Sequence, residues 1–307
     1  GMRGGVVTGG CAGSVGVREP AQVTGPDAPH AKPVVLTTFT VLADLVAVVG
    51  GEHVVVESLT KPGAEIHGYE PTPADLKRAA SADLILENGL GLEAWFARFT
   101  EDLDTPHAVL SEGIDPIAIK VHPRDSQHFA PNPHAWMSPA HAQVYVANAA
   151  AALSELDPAH ATDYADNARA YAALIDERAR TLREVVATLD PAHRVLVTCE
   201  GAFSYLAADL GLAEQYLWAV NSESQSTPRS VAGAIDRVRA DGVPAVFCES
   251  TVSADSMRVV ADEGGATFGG TLYVDSLSGP AGPVPTYLDL LDHNLGQIAH
   301  GLGGTAQ

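Results

Sequence analysis

Short apolar runs alternate with stretches of helical spacing along most of the chain. "PVVLTTF" (33–39) and "HVVVESL" (53–59) are β-branched runs that predict strands. Between them "TVLADLVAVVG" carries the period of a helix closing on Gly50 and Gly51. A helix from Pro73, a strand "DLILENG" and a helix around "GLEAWFARFTEDL" continue the alternation. Residues 114–133 hold no long period and predict loop. A long helical region follows from about Ser138 to Asp190, interrupted near Asp157–Pro158. After Pro191 the alternation returns, with strands "RVLVTCE", "QYLWAVN", "AVFCES" and "TLYVDSL" separated by helical segments and a last helix over about 284–301. Such a pattern predicts an α/β fold with parallel sheets and helices on both faces, in two halves joined by a long helix. Ligands in open sheets of this kind bind beyond the carboxyl ends of strands.

Composition changes this picture little. Apolar residues make up 46% and charged residues 18% of the 307 positions, as expected of a globular chain. The net charge of −20 disfavours nucleic acid and anionic surfaces and favours cations, although a solvated acidic surface accounts for most of it. No stretch approaches the ~20 apolar residues that a membrane-spanning helix needs. The leader "GMRGGVVTGGCAGSVG" is too short in apolar residues for a full secretory signal, but its small residues before Cys11 have the look of a truncated lipoprotein signal. Residues 12–32, rich in Gly, Pro, Ala and Asp, then predict a flexible tether.

Candidate chemistry gathers at the predicted strand ends. His67 sits in "KPGAEIHGYEPTPADL", the loop after a strand, and His134 in the proline-pinned "PNPHAWMSP". Glu200 ends "RVLVTCE" before Gly201, and Asp275 is placed at the end of "TLYVDSL". Singly, each is a surface histidine or a helix cap. Together, two imidazoles and two carboxylates, two from each half, form an N,O donor set for a divalent first-row metal. No H-E-x-x-H or G-x-S-x-G motif supports a metal-dependent hydrolase, and "NGLGLE" carries only part of a dinucleotide fingerprint.

From about Pro33 to Gly303 the chain resembles the metal-binding solute-binding proteins of ABC transporters, in particular their manganese-type branch. The matching segments are "PGAEIHGYEPTPADL", "ADLILENGLGLEAW", "NPHAWMSP", "VTCEGAFSYLAADLGL", "NSESQSTP" and "DSLSGP…YLDLLDHN". The resemblance implies two Rossmann-like lobes joined by a single long helix, with a metal in the interlobe cleft held by His67, His134, Glu200 and Asp275. With the truncated signal and lipoprotein tether read from the leader (1–32), it divides the rest into an N-terminal lobe (33–160), a connecting helix (161–190) and a C-terminal lobe (191–307). It further implies an extracytoplasmic or membrane-anchored protein that hands its metal as a monomer to a permease and its ATPase; for Cys11 lipidation is one reading, and an incidental cysteine in a disordered leader is the other. An adhesin-like surface role has no motif of its own.

The zinc branch has a third histidine where this chain has Glu200, and only His122 and His128 occupy the loop that is often His-rich there. Carboxylate donors suit Mn²⁺ or Fe²⁺, yet Zn²⁺ binds at least as tightly in free competition, so a zinc carrier stays as the alternative. Cys199 and Cys248 lie on strands of one half. Neighbouring strands would bring them within disulfide range, and two buried thiols are the other reading. Thr227 before Pro228 predicts a helix cap, Ser222 and Glu223 are left open, and Trp136 predicts packing.

Overall fold

The structure, a computed structural model, describes residues 32–100, 103–120, 129–220 and 226–304. Cys11, His122, His128, Ser222 and Glu223 lie outside the described residues, as does all of the predicted tether except Lys32.

The first βα alternation folds much as its pattern dictates. β1 (Val34–Thr37), α1 (Thr40–Gly50) and β2 (Val55–Ser58) are followed by α2 (Pro73–Ser81) and β3 (Leu84–Glu87). α3 (Ala94–Thr100) and β4 (His107–Val109) complete a four-stranded parallel sheet in the order β2-β1-β3-β4. α3 starts later than "GLEAWFARFTEDL" predicts, because Glu93 turns back to accept from the backbone N–H of Asn88 and Gly89. α2 starts where Pro73 predicts, behind a reciprocal capping box between Thr72 and Asp75.

Residues 114–133 are not all loop. β5 (Ala118–Lys120) and β6 (Phe129–Pro131) pair antiparallel, with Ile119 opposite Ala130. Three-residue strands are too short to show a period, which is why neither this pair nor β4 is visible in the pattern.

α4 (Pro139–Leu156) and α5 (Ala161–Thr188) form the long helical region, broken where Pro158 enters a 3-10 turn. α5 buries Tyr164, Ala168, Tyr171, Ile175, Ala179, Leu182 and Val186, a single stripe at three- and four-residue spacing. Its 28 residues span about 42 Å.

The second alternation comprises β7 (Val195–Glu200), α6 (Ser204–Leu210), β8 (Ala213–Trp218), α7 (Pro228–Asp241), β9 (Ala245–Glu249), α8 (Asp255–Gly264), β10 (Thr267–Leu272) and α9 (Tyr287–Gly301). β7 pairs with β8 and β9 with β10, both in parallel, and β7 lies beside β9. Cys199 and Cys248 are bonded across that junction with their Cα atoms 4.9 Å apart. Thr227 caps α7 ahead of Pro228.

The predicted bounds of the last strand are wrong. β10 ends at Leu272, so Asp275 stands three residues beyond the strand rather than at its tip. The strand begins earlier than "TLYVDSL" because it runs through Gly269, where a Cβ would lie 2.5 Å from the Phe247 ring, and a bulge precedes Gly270. The pair of glycines hides the strand from an apolar-run reading.

Asp44 on α1 accepts from the Tyr171 hydroxyl of α5 (3.3 Å) and the Tyr287 backbone N–H of α9 (2.8 Å). One carboxylate thus ties three helices from distant parts of the chain. Among the described residues no helix is long and apolar enough to cross a membrane.

Candidate metal centre

The loop after β2 carries His67 and is shaped by its own side chains. Glu65 accepts from the backbone N–H of His67 (2.7 Å) and Gly68 (3.0 Å). The Tyr69 hydroxyl donates to Asp75 at 3.0 Å, fastening the loop to the start of α2. At its other end the Gly63 N–H donates to Ser276 Oγ at 2.7 Å, next door to Asp275.

His134 sits between β6 and the 3-10 turn Ala135–Met137. The Asn88 amide donates to the Pro133 carbonyl at 3.0 Å and accepts from the Tyr145 hydroxyl at 2.6 Å. The His134 ring is oriented by Asn132, whose Oδ1 lies 2.8 Å from Nδ1. Asn132 Nδ2 faces the Gly201 carbonyl at 2.7 Å, which can only accept, so Oδ1 must be the atom turned towards His134. Nδ1 of His134 is therefore the protonated nitrogen, and the Nε2 lone pair is directed into the site.

Glu200 is the last residue of β7, and its backbone N–H donates to Glu249 Oε2 at 3.2 Å. Gly201 follows because nothing larger fits: a Cβ there would lie 2.9 Å from the Ala219 carbonyl oxygen. The Asp275 loop is clamped from three directions. Asn294 brackets the backbone of Tyr273, the Trp136 indole N–H donates to the Val274 carbonyl at 3.1 Å, and the Leu277 N–H donates to Thr40 at 2.9 Å.

These loops bring His67, His134, Glu200 and Asp275 together, with one donor atom of each within 4.8 Å of all the others. His67 Nε2 lies 3.0 Å from His134 Nε2, 3.3 Å from Glu200 Oε1 and 3.7 Å from Asp275 Oδ1. His134 Nε2 is 3.7 Å from each of the two carboxylates. No side chain of the four is more than 3% exposed. Among the described residues Asp275 Oδ1 is buried with no hydrogen-bond partner.

The electrostatics follow from that crowding. Burial opposes a charge on His67, but Glu200 and Asp275 outweigh it and push the imidazole up to about 9. Burial, joined by the charge on His67, drives His134 down to about 3 against the pull of Asp275. Burial also opposes the charge on Asp275, yet His67 holds it below the usual carboxylate range. The proton for which the two facing nitrogens compete therefore sits on His67 Nε2, 3.0 Å from the Nε2 lone pair of His134, which keeps its own Nδ1–H. Two carboxylates and one imidazolium leave a buried negative charge, whereas a dication with neutral imidazoles cancels it.

Sequence reasoning missed three contributors here. Asn132 stands two residues before His134, at the offset from which a short amide reaches a following backbone N–H, and that was a usable signal. Trp136 packs as predicted, 5.1 Å from the His134 ring, but its indole N–H also holds the Asp275 loop. Glu249 is buried beside Glu200, and burial together with the Glu200 charge holds its carboxyl well above the usual range. Nothing in "AVFCES" separates that residue from an ordinary strand-end acid.

Residues 35–301 match the family model described as zinc-uptake complex component A, periplasmic (ZnuA). The chain belongs to this family. Among ZnuA-family relatives it is 50% identical over 270 residues to the iron-binding protein YfeA of Yersinia pestis, covering 88% of this chain and 86% of that one. It is 28% identical over 276 residues to the manganese ABC transporter substrate-binding lipoprotein PsaA of Streptococcus anginosus, covering 87% and 88%. The fold is similar to that of the Mn-bound periplasmic metal binding protein from Candidatus Liberibacter asiaticus, with a TM-score of 0.81 and 40% identity, covering 88% of this chain and all of that one. The α/β architecture with parallel sheets is that of periplasmic metal-binding proteins.

Proposed function

We propose that this chain is the extracytoplasmic substrate-binding component of an ABC importer, capturing one divalent transition-metal ion with His67, His134, Glu200 and Asp275 and delivering it to a permease. The observation that carries the proposal is the buried cluster itself: four donor atoms within 4.8 Å, from loops far apart in the chain, whose charge a dication balances. Mn²⁺ is the cargo the donor set favours, with Fe²⁺ next, because two of the four donors are carboxylate oxygens. The names of the relatives, iron-binding and manganese ABC transporter substrate-binding, support a divalent metal as cargo without ordering the two.

Capture rather than hydrolysis is the reading, since four protein donors at 3% exposure or less leave little room for a substrate. In this reading residues 33–160 and 191–307 act as two lobes about the helix 161–190, His67 and His134 coming from one and Glu200 and Asp275 from the other. The Cys199–Cys248 bond holds the Glu200 turn, and an anchor at Cys11 would keep the protein, as a monomer, near its permease.

Elemental analysis of protein isolated without chelator, with Mn²⁺ and Zn²⁺ titrations of the stripped form, tests the proposal. One equivalent of Mn or Fe and measurable Mn²⁺ binding are expected. Tight Zn²⁺ binding with no Mn²⁺ binding would make this a zinc carrier on the same scaffold, and no binding of either would overturn metal capture.

A further inference from the structure

Asn132 is completely buried, and every hydrogen-bonding position of its side chain is filled. Its Oδ1 accepts from the backbone N–H (3.1 Å) and ring Nδ1 (2.8 Å) of His134. Its Nδ2 donates to the Gly201 carbonyl (2.7 Å) and to Ser204 Oγ (3.0 Å). Ser204 in turn donates to the half-buried Glu214 carboxylate at 2.6 Å. The chain Glu214–Ser204–Asn132–His134 therefore runs from β8 to one candidate ligand, and its side arm grips the residue directly after another, Glu200. Hydrogen bonds in such a series polarise one another in a low-dielectric interior.

We infer that Asn132 is a positioning residue with two jobs, fixing His134 as the Nδ1–H tautomer and coupling that ring to the Glu200–Gly201 turn. Both jobs need an amide. A carboxylate at this place could still accept from His134, but it has no hydrogen for the Gly201 carbonyl and would set two oxygens against each other. An alanine could do neither. A neutral partner also leaves the imidazole a weaker donor than a carboxylate partner would, which eases release of a transported ion. The inference rests on the metal-capture reading for its purpose, but the tautomer is a property of the metal-free protein.

The test compares wild type with Asn132→Ala, Asn132→Asp and Ser204→Ala. Imidazole ¹⁵N shifts of ¹⁵N-histidine-labelled, metal-free protein give the tautomer, with His134 assigned by its loss in His134→Ala, and a competing indicator gives the Mn²⁺ affinity. Wild type should show His134 protonated on Nδ1. Asn132→Ala should lose that preference and about 10- to 100-fold in affinity, the usual cost of an outer partner. Asn132→Asp should keep the tautomer yet still lose affinity, and Ser204→Ala should keep the tautomer with a smaller loss.

An Asn132→Ala protein that keeps the Nδ1–H tautomer overturns the first job, whatever its affinity. An Asn132→Asp protein that binds Mn²⁺ like wild type overturns the second. A wild type with the expected tautomer and no Mn²⁺ binding would instead overturn the functional reading and leave the positioning role standing.

Discussion

His67 and His134 answer pH in opposite directions although their Nε2 atoms are 3.0 Å apart. In the metal-free protein His67 holds its proton up to about 9, so an incoming ion must displace it at neutral pH, while His134, down at about 3, has none to lose. Mn²⁺ affinity should therefore rise about tenfold per pH unit between roughly pH 6 and 8, with one proton released per ion. Calorimetry in two buffers of different ionisation enthalpy reads that proton directly, and a pH-independent affinity would contradict the assignment. Stability of the stripped protein carries the same signature. The raised value of His67 gives stability that is present below about 6.5 and lost as pH rises through about 9. The depressed value of His134 gives stability present above about 6.5 and lost as pH falls towards about 3. Thermal melts of stripped protein should thus peak near pH 6.5 as far as this pair is concerned. Bound metal, which replaces the His67 proton, should remove the alkaline loss.

Loops carry the site, and fixed elements hold the loops. Gly63 and Ser276 join the His67 loop to the Asp275 loop by one hydrogen bond of 2.7 Å. Ser276→Ala removes it, at a cost of about 1 kcal/mol, so Mn²⁺ release measured by stopped flow with a chelator should quicken about fivefold. An unchanged release rate would mean that this bond does not keep the loop closed. The Cys199–Cys248 bond closes a separation of 49 residues, for which chain entropy predicts about 4 kcal/mol. Replacing both cysteines by alanine should lower unfolding stability by roughly 2–4 kcal/mol in denaturant titrations. The strand and helix pattern, the helix starts at Pro73 and Pro228, and the break at Pro158 were all legible in the sequence, because each rests on local chemistry. The three-residue strands β4, β5 and β6 were not, and β10 was misplaced because Gly269 and Gly270 dilute its apolar run. Four candidate site residues could be named from strand ends and prolines. Ser276 and Glu249 could not, since their importance comes from partners 213 and 49 residues away, and Asn132 showed only its local half, since the Gly201 carbonyl it also holds is 69 residues away.

At the scale of the molecule, the four donors come from both runs of strand–helix alternation, and Asp44 ties α1, α5 and α9 together. A net charge of −20 gives the molecule a field that favours cations over anions. The central claim is that one divalent ion sits among His67, His134, Glu200 and Asp275. Anomalous diffraction from crystals of Mn²⁺-loaded protein, collected on both sides of the manganese edge, tests it most directly. The account predicts a single strong peak within about 2.6 Å of Nε2 of both histidines and of a carboxylate oxygen of Glu200 and of Asp275. A peak elsewhere, or one that misses any of the four, would contradict it.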